Sequence, residues 1–469
     1  MKRVLGIVAA VAVGCGTTDS NPLSTGSSTG TAGGSDGDAT VNADALATGS
    51  PPDGRDSASE TDAQISTDAS NNAAQGQDAS AARDGATSLG PATFTANVRV
   101  NDDTGSADQF EVTMAARSDG LVLTGFIDER SGQRCGYSVS RDGGKTWGTN
   151  FFLATSVSGG FVGDPGVAID DAGNLYVVCE DYGTSSGTNS VGIMFSMSSD
   201  SGSTWSAWRM VNKSNDKPWI AGARDGTLFL TWLGNPGGYR RSTDHGQTWE
   251  MPISLGYLDH GTMIAPASGQ VHIAYNDGNN YVNYVKSTDW GATLGMQREL
   301  VDQGTACFEP CQPRSHPIVG GATDPTGKVV AITWAATLSG GDGDDDVWVI
   351  VSKDGGQTFT KPIRANDNTT ASRQFQPWVA VDSDGRVHAV WTDFRNGGMN
   401  ATYYARMTDP AKGFEPNVEV TDARGMPQSF LGDYKGITIQ GNDVIVTWSD
   451  SRRGNADIYF ARAVGAAAP

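Results

Sequence analysis

Asp164, Lys217, His260, His316, Gln376 and Asp433 each open a short apolar run, and Tyr434 follows Asp433 directly. Together these carboxylate, ammonium, imidazole and amide groups could hold a polar ligand by charge and hydrogen bonds. Imidazoles titrate near neutrality and can serve as bases. His260 and His316 are two of only five histidines, although a single histidine is more often a hydrogen-bonded structural residue. A tyrosine is a weak nucleophile until a neighbouring base activates it, and Asp433 stands beside Tyr434 in that role. A separate cluster, Asp342, Asp344 and Asp346, offers the hard oxygen donors that Ca²⁺ prefers. Its spacing is not that of an EF-hand loop, and a solvated acidic loop is the default reading.

A repeated turn sets where these residues stand. The pattern Ser-x-Asp-x-Gly-x-Thr-aromatic occurs five times, at residues 140–147, 198–205, 242–249, 287–294 and 352–359, with Leu294 replacing one aromatic. The carboxylates of Asp142, Asp200, Asp244, Asp289 and Asp354 can accept backbone N–H groups within a tight turn. The Gly tolerates positive φ. The aromatic is expected to pack as a core residue between sheets. Alternating or apolar runs such as 175–178, 228–232, 387–391 and 444–448 read as strands, and no long segment has helical periodicity, so the chain reads as all-β.

The spacing of these turns predicts a β-propeller. First hairpins begin near Gln109, Asp164, Lys217, His260, His316, Gln376 and Asp433, which makes seven blades; a six-bladed ring is the alternative. The seventh unit lacks a fourth strand, and residues 95–100 can supply it, closing the ring through the chain ends. Innermost strands then start at the top face, beside the channel, where the six candidates and Tyr434 gather. The turn aspartates fall on the bottom face and read as structural. Asp128, Asp181, Asp277, Asp393 and Asp450 end second strands, with Arg130, Arg395 and Arg452 two residues after three of them. Their recurrence reads as a structural ion pair, since repeated units share structural terms.

The repeated turn is the Asp-box, or BNR repeat, and the chain resembles the sialidase-like Asp-box propellers over residues 93–469. The resemblance implies an exo-α-sialidase as the default activity, which makes a glycoside hydrolase the rival to a binding protein. It places Tyr434, after Asp433, at the family's tyrosine nucleophile. Sialidases open their first blade with Phe-Arg-Ile-Pro, whose Arg holds the substrate carboxylate. Here the run is Phe110-Glu111-Val112-Thr113, and Glu111 would repel a carboxylate. The loop that carries the family's catalytic Asp is cut short at residues 129–133.

The front of the chain reads differently. Residues 1–14 resemble a lipoprotein signal peptide, and Ala12-Val13-Gly14-Cys15 resembles a lipobox with Cys15 lipidated. Residues 15–92 are rich in Ser, Thr, Gly, Ala and Asp, and are expected to be a disordered tether with a reach of roughly 50 Å. Gly16 after the Cys is the pattern of lipoproteins sent to an outer membrane of a Gram-negative-type bacterium. The net charge of −20 argues against nucleic acid or an anionic membrane face as partner. Cys135, Cys179, Cys307 and Cys311 make an even set in an exported chain, and the short separation favours a Cys307–Cys311 disulfide. The expectation is a monomeric, surface-anchored propeller that needs no cofactor and binds a glycan or protein at its top face. An envelope scaffold is the further alternative.

Overall fold

The Asp-box turn folds as its residue types dictate. Ser140 Oγ accepts from Gly144 N at 2.8 Å and donates to Asp142 Oδ1 at 2.8 Å. Asp142 in turn accepts from the Thr146 amide at 2.9 Å and the Thr146 hydroxyl at 2.6 Å. The same bonds recur around Asp200, Asp244, Asp289 and Asp354. Gly144 has φ of 84°, and a Cβ there would overlap the Phe460 ring.

The computed structural model describes residues 89–468, apart from 153–159, 185–190, 214–215, 260–261, 305–317, 339–343, 427 and 429. Seven antiparallel sheets form the seven blades of a propeller. Blade 1 runs Gln109–Ala116, Val122–Asp128, Arg134–Ser140 and Phe151–Phe152 from the inside outward. In blade 3 one long strand, Leu228–Ser242, serves as both middle strands. Ring closure follows the expected route: Val98–Arg99 pairs with Asp457–Ala463, aligning Val98 with Phe460 and Arg99 with Tyr459. The six-bladed alternative is thereby set aside. The one helical element among the described residues is the 3₁₀ turn Arg224–Gly226. None is long and apolar enough to cross a membrane.

The core is divided among the seams between blades. Seven buried apolar clusters each join residues of neighbouring blades, such as Val112 and Phe126 of blade 1 with Ile458 and Phe460 of blade 7. The Asp-box aromatics differ from expectation. Trp147 and Trp205 are half-buried, because each lies at the outer end of a seam, against a ring of the preceding blade. Trp147 meets Phe460 at 5.5 Å between centroids, Trp205 meets Phe151 at 5.0 Å, and Phe359 meets Tyr284 at 5.3 Å.

Covalent and polar ties reinforce the ring. A disulfide joins Cys135 of blade 1 to Cys179 of blade 2, a pairing left open by the sequence. Cys307 and Cys311 lie outside the described residues. Arg130 bonds Asp128 at 2.8 Å, together with Asp102 and Asn150. Arg395 repeats this with Asp393 at 2.8 Å, Asp367 and Asn417, and Arg452 with Asp450 at 2.7 Å, Asp422 and Asn97. The recurrent Asp-x-Arg is therefore a structural pin.

Candidate functional site at the axial mouth

Four inner strands break register at equivalent points: between Phe110 and Thr113, Gly163 and Gly166, Asp216 and Trp219, and Phe375 and Trp378. Each break is a bulge led by a non-glycine residue at positive φ: Glu111 (55°), Asp164 (49°), Lys217 (43°) and Gln376 (53°). Pro165, Pro218 and Pro377 follow three of them, where the broken ladder needs no N–H. Such conformations cost on the order of 1–3 kcal/mol each and persist where surrounding structure imposes them. The Asp-box turns lie at the other end of the blades: Gly143 N donates to Gly120 O of the first hairpin turn at 2.9 Å.

Three of the four bulges meet blade 7 at one ammonium. Lys217 Nζ lies 2.9 Å from Asp433 Oδ2, 3.0 Å from Asp164 Oδ1 and 3.6 Å from Glu111 Oε1. Burial alone would lower its pKa; Asp164, Asp433 and Glu111 overcome this and hold it well above the ordinary lysine value. Asp164 Oδ2 accepts from the Tyr182 hydroxyl at 2.5 Å, and Oδ1 lies 3.5 Å from the Tyr434 hydroxyl. Burial, then the charges of Glu111 and Asp164, push the Tyr434 phenol well above its usual range. Tyr434 is thus a buried, protonated group.

A second set of carboxylates lies outward of Asp164. Oxygens of Asp164, Glu180 and Asp216 all lie within 4.8 Å of one another, with Asp216 the exposed member. Although Asp216 as a residue reaches solvent, the protein packed around its carboxyl and then the neighbouring Asp164 charge push that carboxyl up. Among the described residues, five carboxylates therefore share this mouth with the ammonium of Lys217. Beneath them Trp219 stacks on Trp378 at 4.9 Å and meets the Tyr434 ring edge-on at 4.9 Å. These indoles, with Thr113, Met114 and Lys435, line an axial cavity of about 150 Å³.

Among the expected site residues, the structure brings together Asp164, Lys217, Asp433 and Tyr434. Gln376 is turned aside: its amide donates to Gly432 O, and it accepts from Thr392 at 2.8 Å. His260, His316, Asp342 and Cys15 lie outside the described residues. Asp346 is committed to Arg364 at 2.5 Å and Asn366 at 2.7 Å, while Asp344 accepts from the Asp345 amide at 2.9 Å. The mouth also contains Glu180, Tyr182, Asp216 and Trp219, which sequence reasoning missed. Their signal was faint: Asp216 and Trp219 flank Lys217-Pro218, and Glu180 and Tyr182 flank the recurrent Asp181.

Comparison with known families agrees with the repeated turn. The BNR/Asp-box repeat model matches residues 240–251, the third of the turns described above. Among curated proteins none matches this sequence. A Hadza microbial sialidase is similar in structure at 16% identity and a TM-score of 0.45, over 77% of this chain and 66% of that one. This chain thus spans just under two thirds of that sialidase's length. A protein of unknown function from Dyadobacter fermentans is similar at 14% identity and a TM-score of 0.47, over 79% and 98% of the two chains. An ulvan lyase of a polysaccharide lyase family is similar at 14% identity and a TM-score of 0.48, over 76% and 94%. At these identities the likeness is one of fold.

Proposed function

Since the chain is an Asp-box β-propeller, we propose that it recognises carbohydrate at the axial mouth of its top face, and that the group it takes is neutral or positively charged. One observation carries this reading: among the described residues, five carboxylates stand in the mouth beside the ammonium of Lys217. Glu111, which the sequence resemblance sets against the sialidase arginine, is part of that set. An anionic sugar would meet a field of its own sign. Within reach of a ligand are the exposed residue Asp216 and the partly exposed Tyr182 and Trp219, an acceptor and two aromatic surfaces. A protein ligand at the same mouth would have to present similar chemistry. In this reading Cys15 anchors the domain at an envelope surface, and Cys15→Ser leaves it in the soluble fraction.

A glycoside hydrolase is the second reading, and Asp216 is what favours it. A carboxyl with a raised pKa beside other carboxylates is the pattern of a general acid. A fluorogenic panel separates the two. Binding alone predicts no release of 4-methylumbelliferone from its sialoside or from neutral glycosides above a Tyr434→Phe, Asp216→Asn control. Turnover of a neutral glycoside lost in Asp216→Asn establishes the hydrolase. Turnover of the sialoside overturns the electrostatic argument.

A further inference from the structure

We propose that the Cys135–Cys179 disulfide is a redox switch for the axial mouth: the oxidised form locks Asp164 and Glu180 in place, and the dithiol form is a folded propeller whose mouth is loose. As regulation of the mouth, this rests on the reading that the mouth takes a ligand. The bridge joins the third strand of blade 1, Arg134–Ser140, to the second strand of blade 2, Leu175–Gly183. Both cysteines are buried, and theirs is the one disulfide among the described residues. The bridge touches the mouth's own backbone. The Gly163 carbonyl oxygen lies 3.3 Å from Cys135 Sγ and 3.4 Å from Cys179 Sγ. Asp164, which leads the bulge at positive φ, follows Gly163 directly, and Glu180 follows Cys179. Two members of the carboxylate group Asp164, Glu180 and Asp216 thus stand one residue from the bridge or from its contact.

The packing around Gly163 passes a movement of the sulfurs on to the site. Gly163 pairs with Glu180, and the ladder breaks directly after it. Val162 N donates to Gln133 O of blade 1 at 3.4 Å. A Cβ on Gly163 would come within 2.8 Å of Gln133 Nε2 and 3.0 Å of the Tyr182 ring, so the bulge has no slack there. Tyr182 in turn donates to Asp164 at 2.5 Å. Bonded sulfurs stand about 2.05 Å apart, whereas two thiols need roughly 3.5–4 Å as non-bonded neighbours. In a close-packed seam that separation must displace a strand or a side chain. A thiol, unlike a bridged sulfur, can also donate to the Gly163 carbonyl. Either change falls on the bulge that aims Asp164. A low-molecular-weight disulfide closes the switch by exchange: the two thiols give up two protons and two electrons as their S–S bond forms. The reagent's S–S bond breaks, through a mixed disulfide, into two thiols.

Hydrogen exchange of the full-length protein, read by mass spectrometry, tests the switch. Protein refolded in excess phosphine is compared with oxidised protein and with a Cys135→Ala, Cys179→Ala variant. The reduced protein should fold, and its segments Phe161–Ile169 and Leu175–Gly183 should exchange about tenfold faster than in the oxidised form. Val330–Ala336 of blade 5 should not change. Oxidised glutathione should restore slow exchange in wild type and leave the variant fast, which assigns the response to this pair of cysteines. Equal exchange in the two forms overturns the proposal. So does a rise spread evenly over all seven blades, which is the mark of a staple for the whole ring, and so does a reduced chain that fails to fold. Any oligosaccharide that the oxidised mouth binds should bind about tenfold more weakly to the reduced form, and equal affinity overturns the switch. A protein that binds no oligosaccharide in either form defeats the carbohydrate reading alone, and exchange at the mouth then decides the switch.

Discussion

Asn97 and Asp422 exchange two hydrogen bonds across the ring closure: the Asn97 amide donates to Asp422 Oδ2 at 2.8 Å, and the Asp422 amide to Asn97 Oδ1 at 2.9 Å. The same reciprocal pair joins Asp102 to Asn150 in blade 1 and Asp367 to Asn417 in blade 6. Asn97 thus fills the place that an outer-strand residue holds within a continuous blade. A chain beginning at Ser88 should unfold at the same denaturant midpoint as the full protein. A chain beginning at Gly105 loses the closing strand, exposes the edge of blade 7 and should aggregate or unfold. Equal midpoints for the two chains would contradict the closure.

The Asp-x-Arg pins are structural, so breaking one should cost stability and leave ligand recognition alone. Arg395→Ala takes the counter-charge from the buried Asp393 carboxylate, which keeps its bond from Trp391, and removes a guanidinium stacked 4.3 Å over Tyr403. Urea unfolding should show a loss of roughly 2–4 kcal/mol. A near-neutral change would show that the neighbouring bonds suffice without the arginine.

Lys435 gives a pH dependence of known sign. Its Nζ is buried against the hydroxyls of Thr392 at 2.6 Å and Thr402 at 3.2 Å. Burial pushes its pKa down to about 7, against the opposing charges of Asp450 and Asp393. The unfolded chain binds this proton up to a pKa of about 10.4. Between those values the unfolded state holds more protons, so this group's contribution to stability rises with pH. Lys435→Met should be more stable than wild type at pH 7, by on the order of a few kcal/mol. The gain should shrink as pH rises toward 10. A gain that is constant with pH would place the charged form in the fold.

Large-to-small changes at the Asp-box aromatics should cost less than at full core positions. Trp147→Ala and Trp205→Ala remove half-buried rings at blade seams. About 2 kcal/mol each is expected in denaturant unfolding, below the 3–5 typical of buried aromatics. A cost at or above that range would mean that the seams depend on these rings more than their exposure implies.

Much of the fold was legible because its signals are local and repeated. The Asp-box turn states its own hydrogen bonds, and five copies give a ring; the missing fourth strand of the last unit pointed to residues 95–100. The inner-strand starts were legible too, since Asp164, Lys217 and Asp433 open their runs alike, and all meet. Their use was not. Lys217 reads in sequence as a ligand group, yet its ammonium is taken up by three carboxylates of other blades. Glu180, Tyr182 and Asp216 carry no repeat signature: Glu180 and Tyr182 reach Asp164 from the strand paired with its own in blade 2, and Asp216 reaches it from the next blade. Burial of the Asp-box tryptophans depends on where the preceding blade ends, which no single repeat encodes.

The most direct test is a calorimetric titration of the full protein with three oligosaccharide classes: uncharged, amino-bearing and sialylated. Saturable binding is expected in one of the first two, lost in Asp216→Asn, and none with the sialylated class. Saturable binding of sialylated oligosaccharides, unaffected by Asp216→Asn, would contradict it.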